Sequence, residues 1–250
     1  MKPKIGILGF TGCAGCQLMI LNLEDELLDI FKRIKLVSFQ MASSEMKDEK
    51  LDIAFVEGSI TTEEQKKELE KIRKKSKILV AIGNCATLGG VQALSNGIKS
   101  SREMMKEVYG GEFWRLMDSK PLSEFVEVDF ELFGCPIEKQ EFLEMIRFLL
   151  RGFIPLKRDY PVCLECKLKD NECILLEKRI CLGPLTVAGC GARCPSLGLE
   201  CLGCRGVIEG EARLESAIKI FEDAGVSAED VKKIFRIFSA NYPDILEVKS

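Results

Sequence analysis

The chain predicts an α/β fold class: a parallel, doubly wound sheet, then a loop-rich segment ordered by bound metal, then terminal helices. Three observations carry this. Short apolar runs alternate with helical patterns through roughly the first 150 residues. Eight of the twelve cysteines then crowd into residues 163–204. Amphipathic helical spacing returns only after Gly206. The change of character sets a boundary between residues 1–152 and 153–250.

Taken in order, Ile5 to Leu8, Ile34 to Phe39, Leu51 to Val56 and Ile78 to Ile82 read as buried strands. Residues 17–32 form a densely apolar helix, expected to be buried on most sides. Thr61-x-x-Glu64 is a capping box opening a charged surface helix that runs to about Ser76. A last strand, Val126 to Phe133, precedes Pro136, which suits the first turn of a helix presenting Phe142, Ile146 and Leu149. Strand and helix in alternation imply a parallel sheet. From Phe153 to about Gly206 no period is sustained, so the segment cannot bury enough apolar surface to order itself. Bound metal would supply that free energy. In the tail, Leu214, Ile218 and Phe221 share a face and Gly225 is a stop. Ser227-x-x-Asp230 then caps a helix with Val231, Ile234, Phe235 and Phe238 on one stripe. Two packing helices are expected there.

Composition excludes several classes of function. The 250 residues are 46% apolar and 30% charged, with net charge -3, which is not the profile of a membrane protein. No basic tail or stripe with interleaved aromatics supports nucleic-acid binding. The apolar run after Pro3 is about six residues, too short for a signal peptide, and no run of ~20 could span a bilayer. With no twin-arginine leader, a cytoplasmic location is expected. Twelve Cys and no His remove the commonest acid–base residue and mixed Cys/His zinc sites. The chemistry expected is thiolate–metal chemistry, with disulfides the rival if the source is hyperthermophilic.

Four cysteines lie in the α/β half, all in equivalent places. Cys13 and Cys16 follow the first strand and open a helix, Cys85 follows Ile82, and Cys135 follows Phe133. Loops at the carboxyl ends of parallel strands converge on one crevice, so these thiols are expected to meet. Neighbouring glycines let the backbone approach a bulky ligand, and helix N-termini favour an anionic unit. A lone C-x2-C is shared by zinc sites and thioredoxin-like pairs, and a single Cys often packs as a small hydrophobe. Four at equivalent loop positions point to one metal centre.

The remaining thiols are Cys163, Cys166, Cys173, Cys181, Cys190, Cys194, Cys201 and Cys204. Eight ligands make two four-ligand sites. Two C-x2-C pairs and Cys190-x3-Cys194-Pro195 are similar to bacterial ferredoxins, where the Cys before Pro serves the other cluster of a pair. The spacing is not the strict ferredoxin run, so the division of the eight is not readable. Two four-cysteine zinc sites remain the alternative.

The run Asp159-Tyr160-Pro161-Val162-Cys163-Leu164-Glu165-Cys166, with Cys173-Ile174-Leu175-Leu176-Glu177-Lys178, Cys181-Leu182-Gly183-Pro184, Ala192-Arg193-Cys194-Pro195 and Cys201-Leu202-Gly203-Cys204-Arg205-Gly206, closely resembles the delta subunits of archaeal cytosolic sulfhydrogenases, which are NADP-linked nickel–iron hydrogenases. Cys13-x2-Cys16, Val56-Glu57-Gly58-Ser59, Gly83-x-Cys85 and Gly134-Cys135-Pro136 resemble motifs of hydrogenase small subunits generally. The likeness spans about residues 4–207 and leaves out the last helices. It implies a flavodoxin-like domain followed by a ferredoxin-like iron–sulfur segment. It also implies three 4Fe–4S clusters: a proximal one on Cys13, Cys16, Cys85 and Cys135, and medial and distal ones on the other eight cysteines.

The resemblance further implies a large-subunit partner carrying the nickel–iron centre, and a flavin and iron–sulfur partner that reduces NAD(P). The chain itself would conduct electrons and hold no catalytic centre. Glu57 is similar to a residue near the large-subunit interface; the bland alternative is a turn after its strand. Two positions depart from the pattern. Gln17 stands where many relatives carry Glu, against a proton-transfer role there. Ile137 replaces the second proline of Gly-Cys-Pro-Pro, which should be harmless. Lacking His, the chain must also differ from periplasmic relatives at the distal cluster. Within the same class, the gamma subunit of a deazaflavin- or viologen-reducing hydrogenase is the alternative. A respiratory complex I subunit would carry adjacent Cys-Cys in place of Cys13-x2-Cys16. From a different class, the rival is a zinc-stabilised interaction module.

Overall fold

A computed structural model describes residues 2–44, 47–208 and 210–241. The chain divides into two compact units, Met1–Pro155 and Leu156–Ser250.

The first unit is built on five parallel strands: β1 (Lys4–Gly9), β2 (Lys35–Phe39), β3 (Leu51–Glu57), β4 (Ser76–Ile82) and β5 (Phe130–Leu132). Their order is β2-β1-β3-β4-β5, with every neighbouring pair parallel. Side chains alternate faces along a strand, and the two cores follow that period. Ile5, Ile7, Ile53, Phe55, Val80 and Ile82 face one side. Leu8, Ala54, Val56, Leu79 and Ala81 face the other. Burial of both faces explains why the strands read as unbroken apolar runs.

On the first face lie α1 (Gly15–Leu21), α2 (Asp25–Arg33) and α6 (Lys139–Leu150). Phe142 of α6 packs on Phe55 of β3 with ring centroids 5.1 Å apart. On the other face α3 (Glu63–Lys75) contributes Leu69 and Ile72, and its remaining surface is charged. The short α4 (Gly83–Leu88) and α5 (Ser101–Tyr109) complete the unit. A capping box between Ser100 and Glu103 starts α5.

Four local expectations need correction. The apolar segment 17–32 is two helices, interrupted at Asn22 to Glu24, where Glu24 has φ 50°. Ile20, Leu23, Leu27 and Ile30 all reach one core, so the helical spacing runs straight through the break. The cap of α3 is Thr62, one residue later than expected, and its hydroxyl accepts from Gln65 N. β5 begins only at Phe130 because the Asp129 carboxylate takes the Leu79 N–H at 2.7 Å, while Phe125, Val126 and Val128 pack on the opposite core. Pro136 lies in a turn closed by the Gly134–Ile137 bridge, and α6 starts later, after Glu138.

The second unit has no strand among its described residues. It contains α7 (Val162–Leu168), α8 (Glu211–Asp223) and α9 (Ala228–Ser239). Its core joins Val162, Leu182, Leu185, Ala217, Phe221, Val231 and Phe235 with the buried Cys181 and Cys201. The tail helices thus pack on the cysteine segment, as their apolar stripes require; the Leu214 side chain lies outside the described set.

Candidate metal centres

In a sheet of this order the direction of strand addition reverses between β1 and β3, and ligands bind in the crevice beyond the carboxyl ends at that point. The loop after β1 carries Cys13 and the first turn of α1 carries Cys16, β3 ends on Glu57 with Gly58 next, Cys85 sits in α4 after β4, and Cys135 follows β5. The loops are tied together by backbone and side-chain bonds. Asn84 N donates to Gly134 O at 2.8 Å. Gln92 Nε2 donates to Thr11 O and Ser59 Oγ, and the Cys85 thiol donates to Gln92 Oε1 at 3.7 Å. Glu57, only 3% exposed, accepts from the backbone N–H groups of Cys16 and Gln17 at 3.0 and 3.2 Å.

Glycine makes the crevice. A Cβ on Gly83 would stand 2.3 Å from Cys16 Sγ, and one on Gly90 2.7 Å from Cys85 Sγ. Gly58, at φ 92°, passes so close to Phe10 that any side chain would collide with its backbone.

The second unit brings Cys163, Cys166, Cys173 and Cys181 around one recess, with Gly183 and Pro195 in its wall. Cys163 and Cys166 are one turn apart on α7 and so share a face. Cys173 precedes a 3₁₀ turn at Ile174–Glu177, and a Cβ on Gly183 would lie 3.2 Å from Cys163 Sγ. Cys201 sits beside this group: its N–H donates to Cys181 Sγ at 3.4 Å, and its thiol to Thr186 Oγ1 at 3.6 Å. Around Cys190, Glu165 accepts from Gly189 N and Ala192 N at 2.9 and 3.2 Å. Arg205 Nε donates to Val187 O and Ala188 O. Cys194 is exposed, directly before Pro195. None of the twelve forms a disulfide.

Residues 13–149, more than half of the chain, match the family model described as NADH ubiquinone oxidoreductase, 20 Kd subunit. Over 206 residues the chain is 44% identical to Sulfhydrogenase 2 subunit delta of Pyrococcus furiosus, covering 81% of this chain and 86% of the relative. The chain belongs to this family, as a small hydrogenase subunit. It is 31% identical to a vhu subunit of the F420-non-reducing hydrogenase of Methanocaldococcus jannaschii, with 98% and 97% of the two chains covered. A solved chain from an NAD+-reducing NiFe hydrogenase in the H2-reduced state has a TM-score of 0.58 and 24% identity, covering 63% of this chain and 96% of that one. That likeness shows the shared α/β fold. The small subunit is thus a component of an oxidoreductase complex. Among its described residues no helix is long and apolar enough to cross a membrane.

The electrostatics of the small subunit's thiols bear on what they hold. Burial pushes the Cys16 thiol well above its ordinary value, and the nearby Glu57, Cys85 and Cys135 add to the effect against a bond from the Ile137 backbone. Burial likewise raises Cys85, partly offset by Gln92, with Cys13 and Glu57 adding. These influences link Cys16 with Cys85 and Cys135, and Cys85 with Cys13. Cys163 is pushed up to about 12 by burial first, then by Cys181, Cys166 and Cys173. Cys201 also reaches about 12 through burial, against bonds from Gly203 and Thr186. Burial raises Cys181 and Cys190 as well; in Cys190 the Arg193 backbone and the Arg205 charge oppose it.

Closely facing thiols in a dry site stay protonated unless a cation takes the protons' place, and a coordinating thiol is deprotonated outright. Among the described residues no three Cys, Asp or Glu converge on the point a single ion would need. The donor set, thiols with no His in the chain, is the one that iron–sulfur clusters use, with separate irons taking separate thiolates. Glycines where a Cβ would meet sulfur leave the room such a group needs.

Gln92, Glu165 and Arg205 were not singled out by sequence reasoning. Gln92 carries one signal, its place after Gly89-Gly90. Glu165 lies between two cysteines and Arg205 directly after the last one, which is no guide to burial.

Proposed function

We propose that this small subunit conducts electrons between a nickel–iron site in a large subunit and a flavin/iron–sulfur subunit that reduces NAD(P). It would hold three 4Fe–4S clusters, on Cys13, Cys16, Cys85 and Cys135; on Cys163, Cys166, Cys173 and Cys181; and, by remainder, on Cys190, Cys194, Cys201 and Cys204. Such clusters supply one-electron chemistry at potentials set by hydrogen bonding, burial and charge. The chain's own residues hold, orient and dry the sites. The single observation that carries this reading is the placement of Cys13, Cys85 and Cys135 just beyond the carboxyl ends of the parallel strands β1, β4 and β5, with Cys16 opening the helix after β1. Similarity to a sulfhydrogenase delta subunit supports the assignment, and an NAD+-reducing hydrogenase of the same fold supports the nicotinamide-linked partner. We place the protein in the cytoplasm.

A second reading, the corresponding subunit of an F420-non-reducing hydrogenase, is favoured by the nearly end-to-end match to the vhu chain. Identifying the subunits that co-purify separates the two. The cluster assignment itself is tested by elemental analysis of anaerobically purified protein. The four-cysteine rule requires about twelve irons per chain and little zinc. A zinc-dominated result, or about four irons, removes the three-cluster reading.

A further inference from the structure

Arg205 is 3% exposed, an unusual burial for a side chain whose charge cannot be neutralised. It follows Cys204 directly, and its Nε reaches Val187 O at 3.1 Å and Ala188 O at 2.9 Å, the strand of backbone leading into Cys190. Half-buried Glu165 of α7 holds the same loop, through Gly189 N and Ala192 N. Gly189, Gly191 and Ala192 all have positive φ, so the loop is tightly turned around the Cys190 sulfur. Exposed Lys169 also donates to Gly191 O, but as a solvated cation it is screened. Two fixed charges of opposite sign thus flank one ligand loop, and both act on it through backbone groups.

We propose that Arg205 and Glu165 are an opposed pair of positioning residues that set the reduction potential of the centre containing Cys190, the arginine raising it and the glutamate lowering it. The inference rests on the three-cluster reading above. When the centre gains one electron it becomes more negative, and a fixed cation nearby favours that state while a fixed anion opposes it. In a low-dielectric surround the effect is larger than in water. The deeper burial of Arg205 makes it the stronger member.

The test is a redox titration, followed by electron paramagnetic resonance, of the intact anaerobically purified complex in four forms: parent, Arg205→Gln, Arg205→Lys and Glu165→Gln. Arg205→Gln should lower the midpoint of one signal, changing its reduced-to-oxidised ratio at fixed potential about tenfold, or about 59 mV for one electron. Glu165→Gln should raise the same signal, Arg205→Lys should stay near the parent, and the other signals should not move. A purely mechanical role predicts otherwise: both neutral variants shift the same way or lose the signal together, and lysine fares no better than glutamine. That outcome overturns the proposal. Should Arg205→Gln fail to keep its iron, Glu165→Gln decides, and an unmoved or lowered midpoint is fatal. A parent with about twelve irons and unshifted variants sinks this inference alone. A parent without iron–sulfur signals sinks the three-cluster reading with it.

Discussion

The carboxylate of Glu57, at the end of β3, caps α1 by accepting the Cys16 N–H at 3.0 Å. Helix α1 has no cap of its own, since Ala14 stands at its N-cap with a left-handed backbone. The acceptor comes instead from a strand forty-one residues further along the chain. Removing it leaves buried donors without partners, at a cost of about 1–3 kcal/mol. Glu57→Ala should therefore lower stability to urea by about that amount, and Glu57→Gln, which keeps one acceptor, should lose less. Equal losses in the two variants would show that the cap is not the cause.

Gly83→Ala should empty the first centre. Its Cβ would meet Cys16 Sγ at 2.3 Å, and its φ of +80° already disfavours a side chain. Gly97, at φ +73° with nothing within 4 Å, is the control. Iron analysis should show about four irons fewer in the first variant and no change in Gly97→Ala, which carries only backbone strain of order 1 kcal/mol.

Iron retention should depend on pH in one direction. Cys163 and Cys201 are raised from 9.0 to about 12 in the fold, so the native metal-free chain holds these protons more tightly than the unfolded one. Their contribution to metal-free stability is therefore full below about 9 and is lost as pH rises through about 12. The same protons compete with iron for sulfur, so iron binding strengthens with pH over that whole range. Anaerobic release to a chelator should slow steadily from pH 6.5 to 10. A plateau at pH 9 would mean thiols of ordinary acidity.

The proposed path has a mutational signature. Cys135→Ser should impair every electron-transfer assay, whereas Cys201→Ser should chiefly impair the natural acceptor and spare a small dye. Dihydrogen/deuterium exchange, which needs only the partner's metal site, should survive both once intact assembly has been verified. Natural-acceptor reduction spared by Cys135→Ser would reverse the path or abolish it.

Much of this was legible from residue order alone. The strands announce themselves because both sheet faces are buried, and Cys13, Cys85 and Cys135 each stand just past one of them. The second unit was harder to read. The gathering of Cys163, Cys166, Cys173 and Cys181 around one recess depends on how the chain folds back at Gly183 and Pro195, which spacing does not encode. The break at Asn22 to Glu24 was hidden because Ile20, Leu23, Leu27 and Ile30 keep one helical spacing across it. Nothing in the spacing marks Arg205 as enclosed, and only the fold reveals it.

The parallel sheet also imposes a schedule on biosynthesis. Cys13 is made about 120 residues before Cys135, with which we propose it shares a centre, and Cys135 follows the last strand of the sheet. Non-local closure of that kind is slow, because chain entropy must be given up before the contact rewards it. Cys163 to Cys181 span fewer than about 20 residues and close quickly. The centre proposed on Cys13, Cys16, Cys85 and Cys135 must thus wait for the whole α/β unit, and an iron donor would find it only in a finished fold.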